Sequence, residues 1–159
     1  MYDVTFYFAH HYLEKGDRTI DQMVQAARSG KQNIAEGAAA GNTSKETEIK
    51  LTNVAKASLQ EPLVDYEDFL RVRGLKQWQP DDARLAQTKR ACAAHNDSEY
   101  YRKAMPERSA ETIANIAITL IHQTDWLLNK LIEKLEIQFV ENGGVKEQMT
   151  KARKEYRGY

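Results

Sequence analysis

From Ile113 to Phe139 the chain carries Ile113, Ile116, Ala117, Leu120, Ile121, Thr124, Leu127, Leu128, Leu131, Ile132, Leu135 and Phe139 at helical spacing. At 100° per residue they fall on one side of a single long helix, and their stripe is wider than a seam between two helices needs. Such a helix cannot stand alone. Its larger side chains are worth roughly 1.5–3 kcal/mol each when buried, so other helices must be laid along it. Ser109 is placed to cap its start, and Asn142-Gly143-Gly144 to end it. No Val/Ile-rich alternating run competes with this pattern, and Gly and Pro are scarce in the 159 residues. The expectation is an all-α fold in one domain.

Upstream, Val4, Tyr7, Phe8, His11 and Tyr12 predict a short first helix stopped at Gly16-Asp17. Thr19 with Gln22 has the form of a capping box for a second helix, whose apolar stripe is Ile20, Met23, Val24, Ala27, Ile34, Ala35 and Ala38. Ala26, Ala27, Ser29 and Gly30 are all small. Gly30 costs about 1 kcal/mol against alanine in a helix interior, a cost that close approach of a neighbouring helix would offset. Gly41-Asn42 marks a turn, and Thr43 with Glu46 reads as a second capping box. A third helix then carries Leu51, Val54, Ala55, Ser58, Leu59, Leu63, Tyr66, Phe69 and Leu70, closing near Gly74. Pro62 within it predicts a kink, because proline lacks an N–H and presses on the Ser58 carbonyl. The Ser58 hydroxyl is placed for a local role at that bend. Residues 76–108 are less periodic and read as a helical insertion, with Pro80-Asp81-Asp82 starting a helix and Asn96-Asp97 breaking it. Residues 145–159 read as a basic C-terminal helix or tail.

The chemistry-bearing residues do not form a recognisable reaction centre. A di-metal carboxylate site in a helical protein needs paired Glu-x-x-His motifs, and none of His10, His11, His95 and His122 has a glutamate three residues before it. His122 with Asp125 is a lone helical pair, read as solvated. Gly37-Ala38-Ala39-Ala40-Gly41 lacks the Gly-Lys-Ser/Thr ending of a phosphate loop and follows a helix, so it reads as a helix end and turn. Cys92 is the only cysteine, which excludes an internal disulfide and fits a reducing compartment. Lysine plus arginine equals aspartate plus glutamate at 23 each, so no net charge draws the chain to nucleic acid or membrane. The run 113–121 is too short to span a bilayer, and Met1-Tyr2-Asp3-Val4 lacks a basic signal-peptide start. The expectation is a cytoplasmic protein with no enzyme activity, no cofactor, no metal and no membrane partner.

Three places carry sharper expectations. Lys31 projects close to the middle of the second helix's apolar stripe, where it must either pair with Glu61 or Asp65 on the third helix or reach along the surface to water. Trp126 lies opposite the core stripe, between Asn115, Asn129 and Glu133, and needs cover from a neighbouring subunit, a partner or the 76–108 insertion. Lys146, Lys151, Arg153, Lys154 and Arg157, against Glu147 and Glu155, form the one local basic excess. They are either a solvated helix face or a phosphate contact.

The Asn33-Ile34-Ala35-Glu36-Gly37 run, the Ser44-Lys45-Glu46 helix start, the Ala57-Ser58-Leu59-Gln60-Glu61 block and the Glu141-Asn142-Gly143-Gly144 ending resemble the 23S rRNA intervening-sequence protein family, in particular its four-helix-bundle suffix-domain branch. Gly30-Lys31 stands where the wider family has an Ile-Pro pair, and Pro62 stands where a leucine-like residue is usual. The resemblance implies an antiparallel four-helix bundle from bacteria that assembles as a homopentameric ring. Related bundles that accompany reverse transcriptases imply binding of RNA and a protein through a basic surface. Together these readings describe a self-associating scaffold or accessory binder, with a monomeric or appended protein-interaction module as the alternative.

Overall fold

The computed structural model describes residues 1–158, and among them every regular element is helical. In chain order they are α1 (Tyr2–Tyr12), α2 (Arg18–Ala40), α3 (Lys45–Val72), α4 (Ala83–Ala94), α5 (Ser98–Ala104), α6 (Ala110–Asn142) and α7 (Val145–Arg157), with a 3₁₀ turn Met105–Glu107 between α5 and α6. Tyr159, the end of the basic tail as read from the sequence, lies outside the described residues.

Helices α2 and α3 form an antiparallel hairpin set by small residues. A Cβ on Gly30 would sit 2.8 Å from Leu59 Cδ2, and one on Gly37 would sit 3.3 Å from the Leu51 Cβ. Gly41, at the turn, lies against the Glu48 carboxylate, which Lys45 pairs at 3.0 Å. Rising numbers in α2 thus meet falling numbers in α3. The Asn33–Gly37 run sits inside α2 and does not end it. Asn33 donates to the Ser29 carbonyl, Ile34 is half-buried, Ala35 and Glu36 are exposed, and Gly37 is buried. Helix α6 returns antiparallel to α3: Lys56 bonds Asn129, and the segment after α3 is bonded near the start of α6 through Glu111 and Asn115. Helix α1 closes the other side, with Phe8 edge-on to Tyr66 and Phe69, and the Tyr66 hydroxyl donating to Thr5 Oγ1 at 3.0 Å. Phe8, Tyr66, Leu70, Ile113 and Ile121 are sealed from solvent and anchor the core at roughly 1.5–3 kcal/mol per large side chain.

Both expected capping boxes are displaced. Asp17 caps α2 by accepting from the Thr19 N–H, and Ser44 caps α3 by accepting from the Thr47 N–H. In each case a better acceptor lies next to the expected cap: a carboxylate two residues before Thr19, a serine one after Thr43. Ser109 caps α6 as expected, bonding the Thr112 N–H at 3.2 Å. Helix α3 continues unbroken through Pro62, which is buried. Ser58 ties the hairpin one turn before it. Its hydroxyl donates to the Val54 carbonyl at 3.0 Å and accepts from Ser29 Oγ at 3.0 Å, and Ser29 Oγ accepts from Asn33 Nδ2.

Lys31 does not pair with Glu61 or Asp65. It is exposed, with Nζ 4.6 Å above the Tyr2 ring. The physical reason is α1, whose first turn offers an aromatic face on the near side, so the ammonium stays hydrated and takes a cation–π contact. Left without that cation, the Asp65 carboxyl is pushed above its usual range, first by burial and then by Asp68 and Glu61. The α6 stripe is also not fully covered: Leu127 is 59% and Phe139 37% exposed.

Gly30→Ala is expected to lower stability by about 1 kcal/mol, the overpacking against Leu59 exceeding the helix-propensity gain. Urea unfolding of Gly30→Ala, Leu59→Val and the double variant checks this. The two sites should couple by at least about 0.5 kcal/mol, Leu59→Val relieving the clash.

Candidate functional site

Polar side chains of α6 hold the insertion against it, Asn115 foremost. Asn115 is 2% exposed, and its Oδ1 accepts from the Trp78 backbone N–H at 2.8 Å. Its Nδ2 donates to the Lys76 and Glu111 carbonyls, each at 2.9 Å. Backbone groups beside the buried Trp78 need partners, and Asn115 supplies one acceptor and one donor to residues 76–78. Nearby, Asp82 caps α4 through the Arg84 N–H and gathers Lys76 at 3.0 Å and Arg84 at 2.9 Å. Hydrogen bonds from Arg84 and Lys76 hold the Asp82 carboxyl well below the usual carboxylate range. Arg84 in turn reaches Glu111 on α6 at 3.3 Å and lies 4.9 Å over the Trp78 ring. The sequence pattern placed Asn115 on a polar outer face; the insertion buries that face at Asn115 and leaves it exposed from Trp126 onward.

The strap leaves a groove of about 700 Å³ between α4, α6 and residues 77–78. Trp78, Leu85, Cys92, Ala93, Ile118, Trp126 and Leu127 give it apolar walls, with Thr119, Asn96 and Gln123 among the polar groups. Lys89 and His122 lie on it, and no carboxylate does. Both tryptophans of the chain belong to this one groove: Trp78 is 7% exposed, Trp126 60% exposed. The indole N–H of Trp78 is, among the described residues, the one buried side-chain polar atom without a hydrogen-bond partner. A buried donor left in that state costs about 1–3 kcal/mol.

Trp78 also borders a smaller cavity of about 210 Å³ beneath α4, shared with Val4, Cys92, Tyr101, Met105 and Ile113. Burial pushes the Cys92 thiol up, outweighing the neighbouring Tyr101 hydroxyl. That favours the thiol over the thiolate, the wrong state for a nucleophile. The Tyr101 hydroxyl donates to the His95 carbonyl at 2.7 Å. Among the described residues no three His, Cys, Asp or Glu side chains converge as a metal-binding group, and no helix is long and apolar enough to cross a membrane.

Trp126 is therefore flanked by the insertion yet not covered by it. At 100° per residue it shares a face of α6 with Lys130, Glu133, Ile137 and Val140, of which Ile137 is 58% and Val140 83% exposed. The basic residues all fall on α7, which buries none of its side chains. By the same spacing Val145, Met149, Ala152 and Tyr156 form one narrow apolar stripe, with Lys146, Arg153 and Arg157 along its flank. Lys151 and Lys154 stand away from that cluster, near Glu147 and Glu155. The sequence reading named these charges but not the division into two faces, a signal already present in the 4-3-4 spacing of the apolar residues.

Asn115→Leu is expected to cost about 2–3 kcal/mol, since buried backbone groups at Lys76 and Trp78 lose their partners; chemical denaturation measures it. A carboxylate held low contributes stability that is complete above its unfolded-state value of about 3.9 and is lost as pH falls through the folded value. Asp82→Asn should therefore flatten the fall of stability with acid below about pH 4, read by thermal melts over a pH series. Compared with protein-family models, with curated proteins and with solved structures, the chain matches none, so what the site does has to be argued from its geometry.

Proposed function

We propose that this chain is a non-enzymatic helical scaffold that self-associates through the exposed face of α6. In this reading α1, α2, α3 and α6 make an antiparallel four-helix bundle of the intervening-sequence kind, and α4–α5 is its insertion. The observation that carries it is the row Trp126, Ile137 and Val140, large apolar side chains in water on the face of α6 turned away from the core. Aromatic anchors of this kind are favoured at interfaces. Trp126 and Ile137 stand about 16 Å apart along the axis, with Lys130 and Glu133 between them. The row is self-complementary. Laid antiparallel on a second copy about a dyad between Leu131 and Ile132, Trp126 meets Ile137 and Lys130 meets Glu133, the pairing that a two-fold interface requires. Within one chain Lys130 and Glu133 already pair at 2.8 Å. The homopentameric ring that the family resemblance implies would instead seat this patch on a different surface of the next copy, head to tail.

A second reading, association with RNA, is favoured by α7, where Lys146, Arg153 and Arg157 line one exposed flank. Basic side chains presented together neutralise phosphates and release counterions, whatever the net charge of the chain.

Size-exclusion chromatography with light scattering, recording absorbance at 260 and 280 nm, tests both readings. We expect more than one copy per particle, reverting to one copy in Trp126→Ala/Ile137→Lys. A wild-type protein that stays monomeric at every concentration sinks the scaffold and leaves the monomeric protein-interaction module. Excess absorbance at 260 nm that Lys146→Glu/Arg153→Glu removes would establish the RNA association; its absence leaves a scaffold built of protein alone.

A further inference from the structure

We propose that the groove between α4 and α6 is a binding site for a small, flat, largely apolar organic anion. This goes beyond self-association and does not depend on it. The volume of about 700 Å³ is within the roughly 300–1,000 Å³ of small-molecule sites. Its walls have the composition of such a site: apolar and aromatic surface with a few polar groups. Trp126 stands at the mouth with its ring in water, available to stack on a planar ligand.

The sign of the ligand's charge follows from what lines the groove. Lys89 is exposed and, among the described residues, in no ion pair, and His122 stands across from it on α6. With no carboxylate on the lining, an anion meets a cation and an imidazole and no repulsion. The Trp78 ring forms the apolar floor of the groove, 7% exposed. Shape and charge together describe one chemical class: an aromatic carboxylate or sulfonate.

The probe is 1-anilinonaphthalene-8-sulfonate, compared with its uncharged counterpart N-phenyl-1-naphthylamine. Both are titrated into the full chain and into Ile137→Lys, so that loss of assembly and loss of the groove are read separately. We expect saturable binding at one probe per chain, with energy transfer from the two tryptophans. Ala93→Trp, at an exposed position on the groove, should abolish it with helicity unchanged by circular dichroism. Lys89→Glu should weaken the sulfonate about fivefold and leave the neutral probe unaffected. No binding, non-saturating binding, or binding indifferent to Ala93→Trp would overturn the site. Equal affinity for both probes together with indifference to Lys89→Glu would overturn the assignment to an anion.

Discussion

The closeness of α2 and α3 is the constraint on which the rest of the molecule depends. A side chain at Gly30 would meet Leu59 at 2.8 Å, and one at Gly37 would press on Leu51 at 3.3 Å. That approach puts Ser29 within hydrogen-bonding reach of Ser58 and lets Thr52, Ala55 and Leu59 sink below 4% exposure. With the hairpin fixed at this spacing, α1 and α6 are presented with a formed surface. Tyr66 can place its hydroxyl on Thr5, and Phe8 can insert between Tyr66 and Phe69. The two glycines each forfeit about 1 kcal/mol of helix propensity, and the burial they permit outweighs it. Pro62 faces the core, and the Ser58 hydroxyl one turn earlier bonds within the helix and across to α2.

A second constraint is local and polar. Residues 76–108 are held on the bundle by the buried Trp78, Cys92, Tyr101 and Met105 and by polar contacts to α6. Asn115 and the Asp82 cluster do much of that holding, one through backbone groups and the other through charge. The consequence is an insertion that stands partly away from α6 and leaves a groove. Apolar packing would have closed such a gap, since interiors approach crystalline density; polar straps fix distance without demanding that the space be filled.

Where the argument from sequence rested on periodicity or on sterics, it carried over to the structure. The long α6, the small-residue approach at Gly30, the Ser109 cap and the helical character of residues 83–94 all follow from spacing and residue size within one segment. Partner choice was not legible. Lys31 goes to Tyr2 and not to an acid because α1 lies beside it, which no spacing within α2 reveals. The caps moved to Asp17 and Ser44 because neighbouring residues compete for the same N–H groups, and Asp and Ser outrank Thr as caps, a signal the capping-box pattern alone passes over. Asn115 was misread for a deeper reason. Its position on α6 is polar in pattern and interior in fact, since a buried amide that satisfies backbone groups looks in sequence like a solvated one. Trp126 was recognised as anomalous from its position, but whether the insertion covered it depended on how far the polar straps hold that insertion away.

Trp126 is common to the association face and to the groove, and this has a thermodynamic consequence if both proposals hold. A side chain stacked on a ligand cannot also be buried against Ile137 of a second copy. Each state then excludes the other at that residue, and linkage requires that the ligand weaken assembly by the same factor by which assembly weakens the ligand. The size of the coupling is set by how much of each interaction passes through Trp126, not by the affinity of either. A ligand held mainly at Lys89 and His122 would leave association nearly unchanged, because binding two states equally shifts nothing. A ligand held mainly by stacking at the mouth would act as a dissociating effector. The depth at which a ligand sits along the groove, from Trp126 at its edge to Trp78 in its wall, is therefore the variable that decides whether the scaffold is regulated or merely occupied.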